Sequence, residues 1–140
     1  MTTYYTAADD DQAVQALKNP PTGDEVLTSD IAPDDDRFTA LIELVTGKQL
    51  DQLDGDEYTV RDDVATDATQ SVVALGSGLV AQIADRDAQE FTDLAGPWSA
   101  TDAFDGSADP AELVDYLTDL QHLARNAAAT NGGVYAVESF

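Results

Sequence analysis

The chain contains no cysteine, which excludes a disulfide framework, a thiolate nucleophile and a zinc–thiolate site. It is nearly as poor in positive charge, with four Arg and two Lys (Lys18 and Lys48) among 140 residues. Without a basic patch, direct nucleic-acid binding is disfavoured. No apolar run approaches the ~20 residues that span a bilayer. The opening Met1-Thr2-Thr3-Tyr4-Tyr5 has neither the basic region nor the apolar stretch of a signal peptide. His122 is the only histidine and Trp98 the only tryptophan, so imidazole chemistry has a single candidate. A Ser/His/Asp triad through His122 needs a serine on an activating turn, and none is recognisable.

Acid is abundant instead. There are 22 Asp and 6 Glu, for a formal charge of -22, while hydrophobic residues make up 43%. That apolar fraction falls in periodic runs and is too high for a disordered acidic chain. Short carboxylate side chains hold water and cations and cover little apolar surface, unlike long Lys stems. In dilute buffer such a surface repels itself. At about 1 M salt the screening length drops to roughly 3 Å and the repulsion largely vanishes. Mimicry of a nucleic-acid backbone is the rival explanation, and it calls for charge concentrated on one strip. Residues 1–70 hold 17 acids and 4 bases, and residues 71–140 hold 11 and 2. The even spread favours solvation in a salt-rich cytoplasm.

Local patterns predict one α+β domain over residues 1–140, a small antiparallel or mixed sheet with strands near both termini and several helices. Thr2–Ala7 reads as a Tyr- and Thr-rich strand. Asp9-Asp10-Asp11 then opens a helix carrying Ala13, Val14 and Leu17, stopped by Asn19-Pro20-Pro21. Residues 22–32 read as irregular. Pro33 and Asp34-Asp35-Asp36 open a helix with Phe38, Leu41, Ile42 and Val45 on one face and Gly47 as its stop. Both Asp triplets thus serve as helix caps facing the positive end of the dipole. A short helical turn near Gln49–Leu53 and the turn Asp54-Gly55-Asp56 lead to strands at Tyr58–Arg61 and Gln70–Leu75. Leu79, Val80, Ile83 and Ala84 mark a short helix. A second opens at Asp87 with Glu90 three residues on, buries Phe91 and Leu94, and ends at Gly96-Pro97. The longest helix spans about 110–131. Asp109 caps it, Pro110 takes its first position and Glu112 completes a capping box. Leu113, Tyr116, Leu117, Leu120, Leu123, Ala124 and Ala127 form its stripe, and Asn131-Gly132-Gly133 terminates it. Val134–Glu138 closes the sheet.

Three constellations carry potential chemistry. Gly76-Ser77-Gly78-Leu79-Val80-Ala81 follows an apolar strand and opens a helix, in the G-x-G-x-x-A form of a dinucleotide-binding turn. The helix is short and no apolar strand follows within a ~30-residue βαβ unit. The reading preferred is therefore a helix cap by Ser77, with no cofactor. Asp51–Glu57 has carboxylates around a glycine but lacks the spacing and the closing Glu of a calcium loop, so no metal site is expected. His122 lies off the Leu stripe and is predicted exposed. Trp98 is expected to cover the edge of the core. No single carboxylate stands out among 28 as a catalytic group.

The last third of the chain resembles a known family. Gly96-Pro97-Trp98-Ser99-Ala100-Thr101, then Phe104, Gly106 and Ala108-Asp109-Pro110-Ala111-Glu112-Leu113, are similar to a segment in which a Trp-x-x-Thr stretch precedes a long helix. Leu120-Gln121-His122-Leu123-Ala124-Arg125-Asn126-Ala127 resembles that helix's Leu-x-x-Leu-Ala-Arg-x-Ala pattern, and Gly133–Val137 resembles its closing strand. The family is that of the small YfbM-like domains of unknown function, in its actinobacterial form. Phe38–Gly47 and the Tyr4-Tyr5 strand resemble it more loosely, and this chain has Ala136 and Val137 where relatives carry Cys and Trp. The resemblance implies an α+β fold and transfers no catalytic residue.

The expectation is therefore a halophilic cytosolic binding or interaction module without enzymatic activity, whose partner is an unknown protein or small ligand. Two alternatives stand beside it, an enzyme using carboxylates on a small substrate and a structural or accessory protein of a haloarchaeal virus. A homo-oligomer remains open.

Overall fold

The computed structural model describes residues 2–15, 18, 26–31, 33, 36–48, 60–66, 69–104 and 108–139. Its elements run β1 (Thr2–Ala7), α1 (Asp10–Val14), β2 (Leu27–Ser29), α2 (Asp36–Thr46), β3 (Val60–Thr66), β4 (Gln70–Leu75), α3 (Ser77–Asp85), α4 (Ala88–Ser99), a 3-10 turn (Asp102–Phe104), α5 (Pro110–Ala129) and β5 (Gly133–Ser139). The fold is α+β. Five strands form a sheet in the order β2-β1-β5-β4-β3, each described pair antiparallel. The terminal strands are neighbours at its centre, running from Thr2 opposite Glu138 to Ala7 opposite Gly133.

Alternation along the strands gives the sheet two apolar faces. Tyr4, Leu27, Val73, Leu75, Val134 and Ala136 join the buried faces of α2 to α5 in the main core. Tyr5, Val72, Ala74, Tyr135 and Val137 face the other way and pack with Ala13 of α1. The edge strand β3 steps out of register between Arg61 and Ala65. An irregularity of this kind blunts an edge against pairing with another chain.

Helix starts follow the Asp pattern. Asp9 accepts from the Gln12 N–H, Asp87 from that of Glu90 and Asp109 from that of Ala111, each satisfying one free donor of a first turn. Asp36 lies in the first turn of α2. Helix α2 buries Phe38, Leu41, Ile42 and Val45 as its periodicity requires, and Gly47 follows at φ 70.

Helix ends are handled differently, because among the described residues no helix carries a basic residue in its last turn. Arginines from other elements supply the missing donors. Arg86 Nη2 donates to the Val45 carbonyl of α2 at 2.7 Å. Arg125 Nε on α5 donates to Ala84 O of α3 at 3.1 Å. The buried Gln121 of α5 completes the cap on α3, donating to Ile83 O at 3.2 Å and also to Arg86 O. Arg37 in turn reaches Asp30 O at 2.7 Å. These scarce cations thus bond main-chain carbonyls as well as Asp30 and Glu90.

Several sequence expectations need correction. Residues 22–32 are not wholly irregular, since Leu27–Ser29 forms β2 against β1. The strand expected at Tyr58–Arg61 is described from Val60 and continues to Thr66. Helix α4 does not stop at Gly96-Pro97 but runs through both to Ser99. Burial draws it onward: Trp98 is fully buried, its indole N–H donates to Arg37 O at 2.8 Å, and its ring lies 5.4 Å from Phe104 and 5.8 Å from Tyr116. Proline costs the helix one backbone donor, and a buried indole outweighs that near a helix end. Leu94 is only half-buried while Ala95 is buried. Trp98 is accordingly a central core residue rather than an edge cover. Helix α5, Pro110–Ala129, matches the expected helix of about 110–131. Leu17, Asn19-Pro20-Pro21, Asp34, Asp35, the segment Gln49–Tyr58 and Gly106 lie outside the described residues.

Candidate functional site

The cavity lies where two central strands separate. The β4–β5 ladder extends as far as Ala74 opposite Tyr135. Beyond that pair, β4 leaves the sheet through Gly76 into α3, and β5 arrives from α5 through Asn131-Gly132. Between them is a cavity of about 540 Å³ walled by Ala74 to Ser77, Asn131 to Tyr135 and Ala8.

Each wall has a local cause. Helix α5 ends in a left-handed residue, Asn131 at φ 55. The Gly132 N–H donates back to Ala127 O at 2.8 Å, the long bond of a Schellman cap. Gly132 then passes so close to β1 that a Cβ on it would lie 2.4 Å from Ala7 O, so no larger residue fits there. Tyr135 forms the floor on the α1 side. It stacks on Tyr5 at 6.1 Å, and its hydroxyl donates to Asp10 Oδ1 at 2.8 Å. Tyr5 OH donates to Ala13 O at 2.7 Å. Burial, with the neighbouring Tyr135, raises the Tyr5 phenol well above its ordinary range.

The opposite wall is the turn that the sequence singled out. Ser77 does not cap α3, contrary to expectation. Gly76 is the N-cap residue, extended at φ -61 and ψ 139, with no side chain to bond the free N–H groups. The first turn of α3 also carries no acid, whereas α1, α2, α4 and α5 each carry at least one. Among the described residues that line the cavity, none is charged. Ser77, Asn131 and Tyr135 are the lining residues with polar side chains.

No family model, curated protein or solved structure matches the chain. The site therefore rests on geometry alone. Its volume lies within the roughly 300–1,000 Å³ of small-molecule pockets, and its surface is mostly backbone, small side chains and one aromatic ring.

A second hollow of about 280 Å³ lies between the β2–α2 segment and the start of α5, and its walls include Asp30, Arg37, Phe104, Asp109, Glu112 and Tyr116. Three carboxylates meet here, but two have structural work. Asp30 holds Arg37 at 3.4 Å, and Asp109 caps α5. Arg37 also lies 5.8 Å over the Phe104 ring. Beneath it, Tyr116 OH donates to Tyr4 OH at 3.0 Å and Tyr4 OH donates to Ile31 O, so this hollow overlies a closed polar relay. Among the described residues, no group of three or more His, Asp or Glu side chains is placed to hold a metal ion. His122 is exposed on α5 and lines neither hollow. No helix among the described residues is long and apolar enough to cross a membrane.

Sequence reading found one wall of the main cavity, at Gly76-Ser77, but took Asn131-Gly132-Gly133 as a helix stop only. The missing link is the pairing of β4 with β5, which brings two turns some 55 residues apart in sequence to one place.

Proposed function

We propose that this chain is a non-enzymatic binding module of a salt-rich cytoplasm, a halophilic relative of the YfbM-like domains, and that it holds a small uncharged polar molecule in the cavity between β4 and β5. One observation carries the reading: a chain with 28 acids leaves charge off the described lining of its larger hollow. A chain that places carboxylates at most surfaces yet leaves such a space neutral accommodates hydrogen-bonding groups without repelling or neutralising a ligand's charge. The arginine bonds to carbonyls support the salt-rich setting. Molar salt screens ion pairs strongly, whereas a donor held against a main-chain carbonyl keeps its partner.

Two experiments test the two halves. Thermal unfolding of the wild type and of Gly133→Leu is followed in about 2 M KCl, where charge repulsion is screened, against a panel of sugars, nucleosides, amides and carboxylic acids. The three atoms nearest a Cβ on Gly133 belong to the Tyr135 side chain, at 3.4 Å or more, so a leucine there starts from a lining position without a tight backbone contact at its Cβ. The reading expects an uncharged polar compound to raise the wild-type Tm and to leave that of the variant unmoved. Binding only by carboxylates, or equal shifts in both proteins, defeats it. Circular dichroism against KCl concentration tests the salt setting, and a cooperatively folded protein in dilute buffer sinks it.

The carboxylate-enzyme alternative is tested at the second hollow, where Glu112 is the lining acid that neither holds an arginine nor caps the helix with its side chain. Turnover lost in Glu112→Gln with an unchanged Tm would favour that reading over the first.

A further inference from the structure

Asn131 precedes Gly132, and this pair has the chemistry of self-modification. The main-chain nitrogen of Gly132 can attack the Asn131 side-chain carbonyl carbon. The new N–C bond closes a five-membered succinimide as the C–Nδ2 bond breaks. The amide nitrogen leaves as ammonia, taking the proton released by the Gly132 N–H. Water then opens the ring at either carbonyl, giving Asp or isoaspartate. Glycine favours this step because it has no Cβ to obstruct ring closure. The other asparagines are poorly disposed to it. Asn19 precedes Pro20, whose nitrogen carries no hydrogen, and Asn126 lies inside α5 before Ala127.

We propose that Asn131 is a deamidation site that the fold keeps latent, guarded by the cap of α5. Asn131 is exposed, so its amide is open to water. The attacking nitrogen is not free. Its N–H is held by Ala127 O at 2.8 Å, and the approach of Ala7 O pins Gly132 in place. Closing the ring requires the Gly132 N–H to give up this hydrogen bond and its proton, and the Asn131 Cα–C bond to turn so that the nitrogen meets the side-chain carbonyl carbon. Modification therefore proceeds through local opening of the helix end, at a rate set by how often the cap opens. Its product alters the molecule in two ways. Either form puts a carboxylate on the wall of a cavity whose described lining is neutral, and isoaspartate also lengthens the main chain by one carbon, displacing Gly132 from both Ala127 and Ala7.

The test is peptide mapping by mass spectrometry after incubation of the whole chain in mildly alkaline buffer. One arm is native in molar KCl and the other is unfolded in guanidinium, and amide hydrogen exchange at Gly132 is measured in the native arm. In guanidinium, conversion is expected chiefly at Asn131, with Asn19 and Asn126 well behind. In the native arm it should be slower by about tenfold or more, with the slowing matching the Gly132 amide protection to within about threefold. Equal rates in the two arms overturn the proposal. So does unfolded-state conversion at Asn126 as fast as at Asn131. A suppressed reaction beside a freely exchanging Gly132 amide overturns the role given to the cap.

Discussion

Replacing Gln121 with methionine tests whether one amide on α5 holds the end of α3. Gln121 is 8% exposed, and its side-chain nitrogen reaches two main-chain carbonyls, Ile83 O at 3.2 Å and Arg86 O. Ile83 O keeps a second donor, the Arg86 N–H at 3.4 Å, so its loss is partial. For Arg86 O, methionine removes the donor that Gln121 supplies. A buried carbonyl left unpaired costs about 1–3 kcal/mol, and a thioether of similar length regains a few tenths through burial of its methyl group. The expected net loss is about 2 kcal/mol. For a domain of this length that lowers Tm by roughly 5–8 °C. Gln121→Glu provides the internal comparison. It keeps the shape but sets carboxylate oxygens against two carbonyl oxygens, so it should be the less stable of the two despite adding an acid to a chain rich in them. Thermal and urea unfolding in molar KCl, with equal m-values required, measure both. A Gln121→Met protein within about 0.5 kcal/mol of wild type, the range of inert surface changes, would refute the reasoning. A Gln121→Glu protein more stable than Gln121→Met would refute it as well.

Other outcomes follow from the same bonds. Tyr4→Phe should cost about 1–3 kcal/mol and Tyr116→Phe about 1 kcal/mol or less, because Tyr4 OH supplies Ile31 O while also accepting from Tyr116; a double-mutant cycle by urea unfolding measures the coupling. Arg86→Lys should lose about 1–2 kcal/mol, since an ammonium lacks the planar fork that reaches Val45 O and Glu90 Oε2 together, and this loss should persist in molar salt because one partner is a carbonyl. Above the ordinary phenol range near pH 10, unfolded Tyr5 releases its proton while folded Tyr5 keeps it. Stability should therefore be complete below that pH and fall by up to about 1.4 kcal/mol per pH unit above it. Tyr5→Phe should flatten that slope in Tm measured across alkaline pH.

The legible parts of the fold were those whose cause is local. Asp109-Pro110 and the Leu113–Ala127 stripe specify α5 without outside help, and the apolar run Val72–Leu75, stopped by Gly76, marks β4. Leu27–Ser29 could not be read in that way, because three residues are too few to show a period and β2 exists through its pairing with Tyr4 and its neighbours. At Pro97 a local rule lost to a distant contact, the reach of Trp98 for Arg37. Gln121 was within reach. It lies four residues after Leu117 and three before Ala124, on the buried stripe, and a polar residue at such a position announces a buried partner. The neutrality of the cavity was not legible, because it depends on which acids fail to meet in space.

The central pairing of β1 with β5 has a consequence for how the molecule is made. Thr2 and Glu138 lie opposite each other, so β1 can meet its inner neighbour only after about 130 further residues have been added during synthesis. Until then β1 has β2 alone on one side, and Tyr4 and Tyr5 lack the strand that covers them on the other. Contacts of such sequence separation close slowly and leave strand edges open meanwhile. Assembly of the sheet is thus a late event, complete only once β5 is available to pair with both β1 and β4.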